Sequence, residues 1–510
     1  MGSVPPLVSI STSERNIRVS IFTDAMCAMW IVSSSFPIHR GVYWTTLVGV
    51  MSTWVGNRRF PALSRLARNT SPLANGRPFR QIQKPRMTTI VTAAATAHHS
   101  QSDSPVTSVD VKLNVRPSAS FRLGPDKEQT LPYRVPGTPG HSRKQFLSGK
   151  PIKYYRPMGS PDIRHLIDNG FQAFNGGRLS EACQIFAGKM LAPEHDTTIG
   201  LTMAGAMTPA GLGGCVIELM DRGLVDFIVS TGANLYHDLH YALNFTLRRG
   251  SPFVNDVELY EEGVIRIYDV LFPATVLLET DAYIRDFIVR SGLNEAVATS
   301  EFHYRLGRDL IERYPGCEEY SVVARAALAG VPLYTSSPGD SSIGMNIAYH
   351  ELMNGSHFMI DPNKDVNEVC AIVLAGRRNG CVILGGGSPK NFYLQAQPTL
   401  WEVYGIPKGG NDYFIQITTD SVVWGGLSGA TPAEAVSWGK VNPGVLPDTV
   451  VAYCDTTIAF PLFCEYAVGS PNNRRARKEL VHRRDELVAS LTREARAAHD
   501  KRLAETTETK

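Results

Sequence analysis

The chain has 510 residues and a formal charge of +3, enough length for one large domain or two ordinary ones with well-filled cores. So small a net charge gives no electrostatic reason to expect a nucleic-acid or membrane partner, and no window reaches the roughly 18 uninterrupted apolar residues that span a bilayer. The eight cysteines form no C-x-x-C pair and no zinc spacing, and several sit in apolar runs such as "NGCVILGG"; they read as buried thiols in a reducing compartment, with neither a metal site nor a disulfide framework.

In chain order, residues 1–95 hold eleven Lys/Arg and only Glu14 and Asp24 as acids, so the remainder is net negative. An Arg-rich, Ser/Thr-rich, acid-poor leader fits a mitochondrial or plastid transit peptide; an over-extended start with Met87 as the true first residue fits as well. The expected location is cytoplasmic, or organellar if the leader is real. Residues 96–150 are polar, with Pro and Gly scattered through "RVPGTPGHSRK", and read as a linker or arm.

The pattern changes over residues 151–472. Short β-branched runs alternate with helical stretches and end in small or acidic residues, as in "VDFIVSTGAN", "VPLYTSSPGD", "CVILGGGSPK", "DYFIQITTD" and "TVVAYCDTT". This predicts an α/β fold, a doubly wound, mostly parallel, Rossmann-like sheet with helices on both faces. Ligands in such folds bind outside the carboxyl ends of the strands, here Thr231-Gly232, Asp340, glycines 385–387, Thr419-Asp420 and Asp455-Thr456. The three glycines let a backbone approach a pyrophosphate, with Ser388 and Pro389 as N-cap and first helical position; a tight turn is the plain alternative, since neither G-x-G-x-x-G nor G-K-[ST] occurs. "STGAN" (230–234) is either a floor for a ribose or adenine or simply a capped helix start.

"ATPAEAVSWGK" (430–440) ends on a lysine behind an indole and a glycine. A lysine of ordinary pKa, about 10.4, is protonated at neutral pH and cannot attack carbon. Burial lowers that pKa, and Trp438 is placed to desolvate Lys440, which would then form imines with carbonyl-like carbons. A surface cation is the bland reading. Residues 473–510 form a charged helix with Leu480, Leu487 and Leu491 on one stripe, which packs on its own domain or a sister subunit.

"PAEAVSWGK" followed by "VVAYCDTTIAFPL" resembles the C-terminal catalytic segment of the deoxyhypusine synthase family, and "GFQAFNGGR", "GLVDFIVSTGAN", "SPGDSSIG" and "CVILGGGSPK" resemble other blocks of that family in the same order. The outline is most similar to the bacterial-type deoxyhypusine synthase-like proteins. The resemblance implies a catalytic domain over 151–472, bound NAD, and a homotetramer with active sites between subunits. It implies an aminobutyl or aminoalkyl transferase that takes its group from a polyamine such as spermidine through an imine on the nucleophile Lys440. The acceptor is then a protein lysine, or a small polyamine such as putrescine. Glu434 and Trp438 would line the polyamine channel; Thr231, Gly232, Asp340, Gly386, Thr419, Asp455 and Thr456 would contact NAD.

Departures cluster where the family grips spermidine. Tyr236 and His237 stand where a pair of acids is expected, Met345 and Leu427 where single acids are, and Asn391 where the catalytic histidine is. Fixed ammonium charges in a partly buried channel need carboxylate partners, so these changes weaken the hold on a long polyamine. His237, which titrates near neutrality in its ordinary state, is a candidate replacement for the missing histidine. The expectation is an enzyme of altered specificity. The alternatives are a non-catalytic NAD-binding regulatory subunit of a mixed tetramer and an amine oxidoreductase that stops at the imine.

Overall fold

The computed structural model describes residues 150–508 except 160, 161 and 356, together with strands before residue 115. Two compact units divide the chain, residues 1–141 and 142–510. In the first, Thr12–Ser13 pairs with Asn16–Ile17, Met29–Ile38 with Gly41–Val50 and Thr92–Thr96 with Asp110–Asn114, all antiparallel. The leader and arm expected over 1–95 and 96–150 otherwise lie outside the described residues.

The second unit is built on a six-stranded sheet: β1 (Thr197–Met203), β2 (Phe227–Ser230), β3 (Leu333–Thr335), β4 (Arg378–Leu384), β5 (Tyr413–Thr418) and β6 (Thr449–Tyr453). Their spatial order is β3-β2-β1-β4-β5-β6 and every pairing is parallel. This is the doubly wound order, with its reversal between β1 and β4. The principal helices are α1 (Gly213–Asp221), α2 (Gly232–Ala242), α3 (Thr275–Arg290), α4 (Thr299–Arg313), α5 (Val322–Ala329), α6 (Ser342–Asn354), α7 (Pro362–Ala375), α8 (Gly387–Pro398), α9 (Pro432–Ser437), α10 (Thr456–Val468) and α11 (Leu480–Glu508).

Side-chain alternation sorts the strands between two cores. Val382 and Leu384 of β4, with Ile415 and Ile417 of β5, join α1, α5 and α10 on one face. Cys381 and Ile383 of β4, with Phe414 of β5, join α7, α8 and α11 on the other. Because both faces are covered, the strands read as unbroken apolar runs. The seven described cysteines are free thiols, and burial pushes those at 183, 370, 381 and 464 upward. Among the described residues no cluster of metal-ligating side chains occurs and no helix is long and apolar enough to cross a membrane.

One local expectation changes. Ser388 and Pro389 are not the cap and first residue of α8; Gly386 occupies the cap position and Pro389 lies inside. The first helical N–H, that of Gly387, is taken by the Ser428 hydroxyl at 2.8 Å, so a distant loop supplies what a local serine was expected to supply.

Candidate active site

Lys440 closes a turn that begins with α9. The Thr431 hydroxyl accepts the Glu434 N–H at 3.1 Å and Pro432 fills the first helical position, the T-P-A-E spacing of a capping box. The helix ends at Gly439, whose φ of +68° is left-handed, and the Lys440 N–H returns to the Ala435 carbonyl at 3.0 Å. Buried Asn411 donates its backbone and side-chain N–H to the Lys440 carbonyl, at 2.9 and 3.0 Å. Tyr393 of α8 donates in turn to the Asn411 amide oxygen at 2.8 Å. With its backbone held in this way, Lys440 sends its side chain back to α8, where Nζ donates to Asn391 Oδ1 at 2.9 Å.

That amine is half-buried, and burial lowers its pKa while the Glu434 carboxylate opposes the shift. Nζ lies 5.5 Å from the centre of the Trp438 ring. The indole is 60% exposed, so it stands at the rim and desolvates the amine on one side only; the protein body does the rest. The hydrogen-bond partner of Nζ is a neutral amide rather than a carboxylate, which leaves burial as the dominant influence.

Beside Asn391 on α8 stands Lys390, 3% exposed. Its Nζ donates to Gln416 Oε1 (3.0 Å), the Ser428 carbonyl (3.3 Å) and the Ala430 carbonyl (2.6 Å). All three acceptors are neutral, and burial brings its pKa down to about 8. Gln416 of β5 donates to the Gly385 and Ser428 carbonyls, at 2.9 and 2.7 Å. One buried amine and one buried amide therefore tie the triple-glycine loop, β5 and the approach to α9 together. Sequence reading passed over Lys390 and Gln416. The usable signal was a polar residue, Gln416, inside the otherwise apolar "YFIQIT".

The positions expected to meet a dinucleotide lie along the carboxyl edge of the sheet. The Thr231 hydroxyl accepts the Asn234 N–H as the cap of α2 and donates to the Gly205 carbonyl. A Cβ on Gly232 would fall 2.2 Å from Ser341 Cβ, and one on Gly386 2.5 Å from Ser428 Cα, so neither site admits a side chain. Gly205 and Gly387, on the two sides of the β1/β4 reversal, have positive φ and open space before them. Asp340 and Thr419 are exposed at the ends of β3 and β5; Asp455 caps α10, and Thr456 donates to the Ile417 carbonyl at 3.3 Å. Bare glycine backbone at the reversal, flanked by exposed acid and hydroxyl groups, fits a dinucleotide.

The structure groups His237 elsewhere. Its ring neighbours are Tyr236, His240 and Phe272. The Thr280 hydroxyl donates to the Val276 carbonyl at 2.7 Å, which leaves it an acceptor for His240 Nδ1 at 2.9 Å. His240 Nε2 must then accept from His237 Nδ1, also at 2.9 Å, so the outer nitrogen of His237 carries the lone pair. Burial brings His237 down to about 4 and His240 to about 3. The expected titration of His237 near neutrality is corrected accordingly: it is a neutral imidazole there, because a second imidazole and an apolar wall replace its water. Tyr236 donates to Asp281 Oδ1 at 2.8 Å, Asn346 donates to the same oxygen at 2.8 Å, and Arg285 donates to Asn346 Oδ1 at 2.7 Å.

Comparison with known proteins is consistent over residues 167–467. Residues 167–467 match the family model described as "Deoxyhypusine synthase". A "Deoxyhypusine synthase-like protein" of a Nostoc species is 49% identical over 353 residues, 68% of this chain and 91% of that protein. One of the same description from Nostoc punctiforme is 48% identical over 66% of this chain and 87% of its own length. A protein named "Probable deoxyhypusine synthase 2" from Methanosarcina acetivorans is 39% identical over 58% of this chain and 83% of its own.

Proposed function

The chain belongs to the deoxyhypusine synthase family, a family of aminobutyl transferases, and from that premise we propose that it is an NAD-dependent aminoalkyl transferase with Lys440 as its imine-forming nucleophile. The observation that carries this reading is the setting of the Lys440 amine, which is half-buried, lowered in pKa and paired with the neutral Asn391. Lowering the pKa raises the fraction present as free amine, the form that attacks carbon.

NAD, held along the carboxyl edge by Thr231, Gly232, Asp340, Gly386, Thr419, Asp455 and Thr456, would supply the hydride acceptor and later the hydride donor. Loss of hydride from the carbon beside a secondary amine makes that carbon electrophilic. Lys440 Nζ bonds to it and the original nitrogen leaves with the rest of the donor, so the alkyl group stays on Lys440 as an imine. An acceptor amine then takes the group, and returning the hydride leaves no net oxidation. Asn391 Oδ1 accepts one N–H of the lysine and so aims its lone pair away from α8. Glu434 is the carboxylate within electrostatic reach of Nζ and is placed to pair with an ammonium of the donor or acceptor. Where the resemblance implies further acids, Met345 and Leu427 stand exposed, which favours a small amine of few charges over a long polyamine.

The segment that leads to the lysine carries exposed apolar side chains, Val423, Trp424, Leu427 and Trp438, the last of them beside the amine. Such a patch suits closure by another copy of the chain, in keeping with a homotetramer.

The test is borohydride trapping. The full chain is incubated with NAD and either spermidine or putrescine, reduced, digested and mapped by mass spectrometry. An alkyl adduct on Lys440, absent from Lys440→Ala while NAD affinity stays within about twofold, is the expected result. NADH and free aldehyde without adduct would instead identify an oxidoreductase, and NAD binding with neither product a regulatory subunit.

A further inference from the structure

The family model's match ends at residue 467, whereas α11 runs over Leu480–Glu508. This helix nevertheless shares a core with the reactive segment. Leu480, Leu487 and Leu491 of α11 belong to the same buried cluster as Ala435 and Val441, which flank Lys440, and as Tyr393, which holds Asn411. Its base is anchored by Arg484, which reaches Glu301 at 2.5 Å and Glu368 at 3.6 Å.

The far end of α11 meets a strap, residues 399–406, that joins α8 to β5. On one side the strap is tied to α7, through Tyr404 donating to Asn367 Oδ1 at 2.5 Å. On the other, the Arg502 guanidinium donates to the Trp401 carbonyl at 3.3 Å. The same guanidinium lies so close over Gly405 that a Cβ there would fall 2.5 Å from Arg502 Cζ. Between these ties a cavity of about 360 Å³ opens, lined by Tyr404, Val488, Leu491 and Ala495, so packing alone does not fix the strap against α11. Among the side chains that the strap carries outward is Trp401. Its indole Nε1 would lie 2.7 Å from a Cβ on Gly439, the left-handed residue that turns the chain into Lys440.

We propose that α11 is a positioning element for the reactive lysine: Arg502 fixes the strap, and Trp401 on the strap fixes Gly439 and with it the direction in which Lys440 presents its amine. The indole closes the space beside Gly439 that a side chain or water would otherwise fill, and Arg502 keeps the indole there although half of it faces solvent. A turn held on one side by Asn411 and on the other by Trp401 has one orientation; released from Trp401, it has several. The inference rests on Lys440 being the nucleophile, but its test does not depend on turnover.

The test compares wild type, Arg502→Ala, Arg502→Lys and Trp401→Ala as full chains. Lys440 is first labelled by formaldehyde and cyanoborohydride across a pH series, with the extent read on its own peptide and the exposed Lys153 as internal reference. The charged groups within reach of the Lys440 amine, Glu434 and Lys390, are untouched by these substitutions. We expect the midpoint for Lys440 to rise toward that of the reference lysine in Arg502→Ala and Trp401→Ala, and Arg502→Lys to restore it. Spermidine with NAD and borohydride then reports transfer: Arg502→Ala should slow adduct formation about tenfold with the half-saturating spermidine concentration unchanged, the signature of lost orientation rather than lost binding. A wild-type midpoint in Arg502→Ala overturns the role of α11, even if Trp401→Ala shifts. If wild type itself forms no adduct, the nucleophile reading fails, while the labelling midpoints still decide whether α11 positions the amine. Arg502 is exposed, so loss of fold is not an expected outcome of replacing it.

Discussion

The lysine pole and the histidine pole of this unit solve opposite problems. At the first, Lys440 and Glu434 keep charged or chargeable ends open to an incoming ligand, while the groups behind them, Lys390, Gln416 and Asn411, are buried and saturated with hydrogen bonds. At the second, Tyr236, Asp281, Asn346 and Arg285 satisfy one another, and Thr280, His240 and His237 form a relay that ends on the outer nitrogen of His237. The resemblance implies that acids facing a polyamine stand at Tyr236 and His237. What occupies those positions is an internally partnered network. Residues with the same place in the chain thus serve recognition in one setting and cohesion in another, and the difference lies in whether their polar atoms point at a ligand or at a neighbour.

Substitution back toward acids breaks this comparison most forcefully. Tyr236→Glu would place a second carboxylate against Asp281 in a site where Tyr236 is 2% exposed. Like charges in a dry site cost several kcal/mol, and we expect a loss of about 3–4 kcal/mol in urea unfolding at neutral pH. No gain in spermidine binding should accompany it. On the open pole, Asn391→His should cost under about 1 kcal/mol, because Asn391 is partly exposed and the imidazole can face the crevice. A Tyr236→Glu chain as stable as wild type would show that the histidine pole is an open binding site after all.

Lys390→Met tests the buried side of the lysine pole. Met fills the stem but leaves the Ala430 carbonyl and Gln416 Oε1 without their donor, while the Ser428 carbonyl keeps the one from Gln416. Stability should fall by about 2 kcal/mol, and adduct formation on Lys440 by about tenfold, since the approach to α9 loosens. Stability loss with unchanged transfer would confine Lys390 to cohesion.

How much of this could be read before folding follows from where each partner sits in the chain. The sheet was legible because burial of both faces writes itself as short apolar runs ending in small residues, and "CVILGGG" announces both β4 and its turn. T-P-A-E-A-V-S-W-G-K shows a cap, a short helix and a left-handed stop, all local. The partners of that helix are not local: Asn391 lies 49 residues before Lys440, and the Ser428 hydroxyl that caps Gly387 lies 41 residues after it. For the same reason the local sequence points to Ser388 as the cap of α8, although Ser428 does that work. Trp401 and Arg502, 101 residues apart, leave no local pattern at all.

The last effect concerns pH. Burial places the folded pKa values of His237 and His240 at about 4 and about 3, below the ordinary 6.5. The unfolded chain therefore binds protons at these positions that the folded chain refuses. Their contribution to stability is complete above pH 6.5 and is lost as pH falls toward 4. Buried Asp238 and Asp365, raised to about 6 and about 8, act in the opposite sense: the folded chain holds protons that the unfolded chain releases, so stability is lost as pH rises through 6 to 8. A whole-protein profile mixes the two, and only a difference profile separates them. In His240→Gln the amide can still bond to Thr280 and His237 but cannot titrate. The gap between wild type and this variant in urea midpoint should accordingly shift in the variant's favour as pH falls from 6.5 to 4, by about 1 kcal/mol or more. A gap independent of pH would mean that the histidine pair is solvated and titrates normally, and the closed character of that pole would go with it.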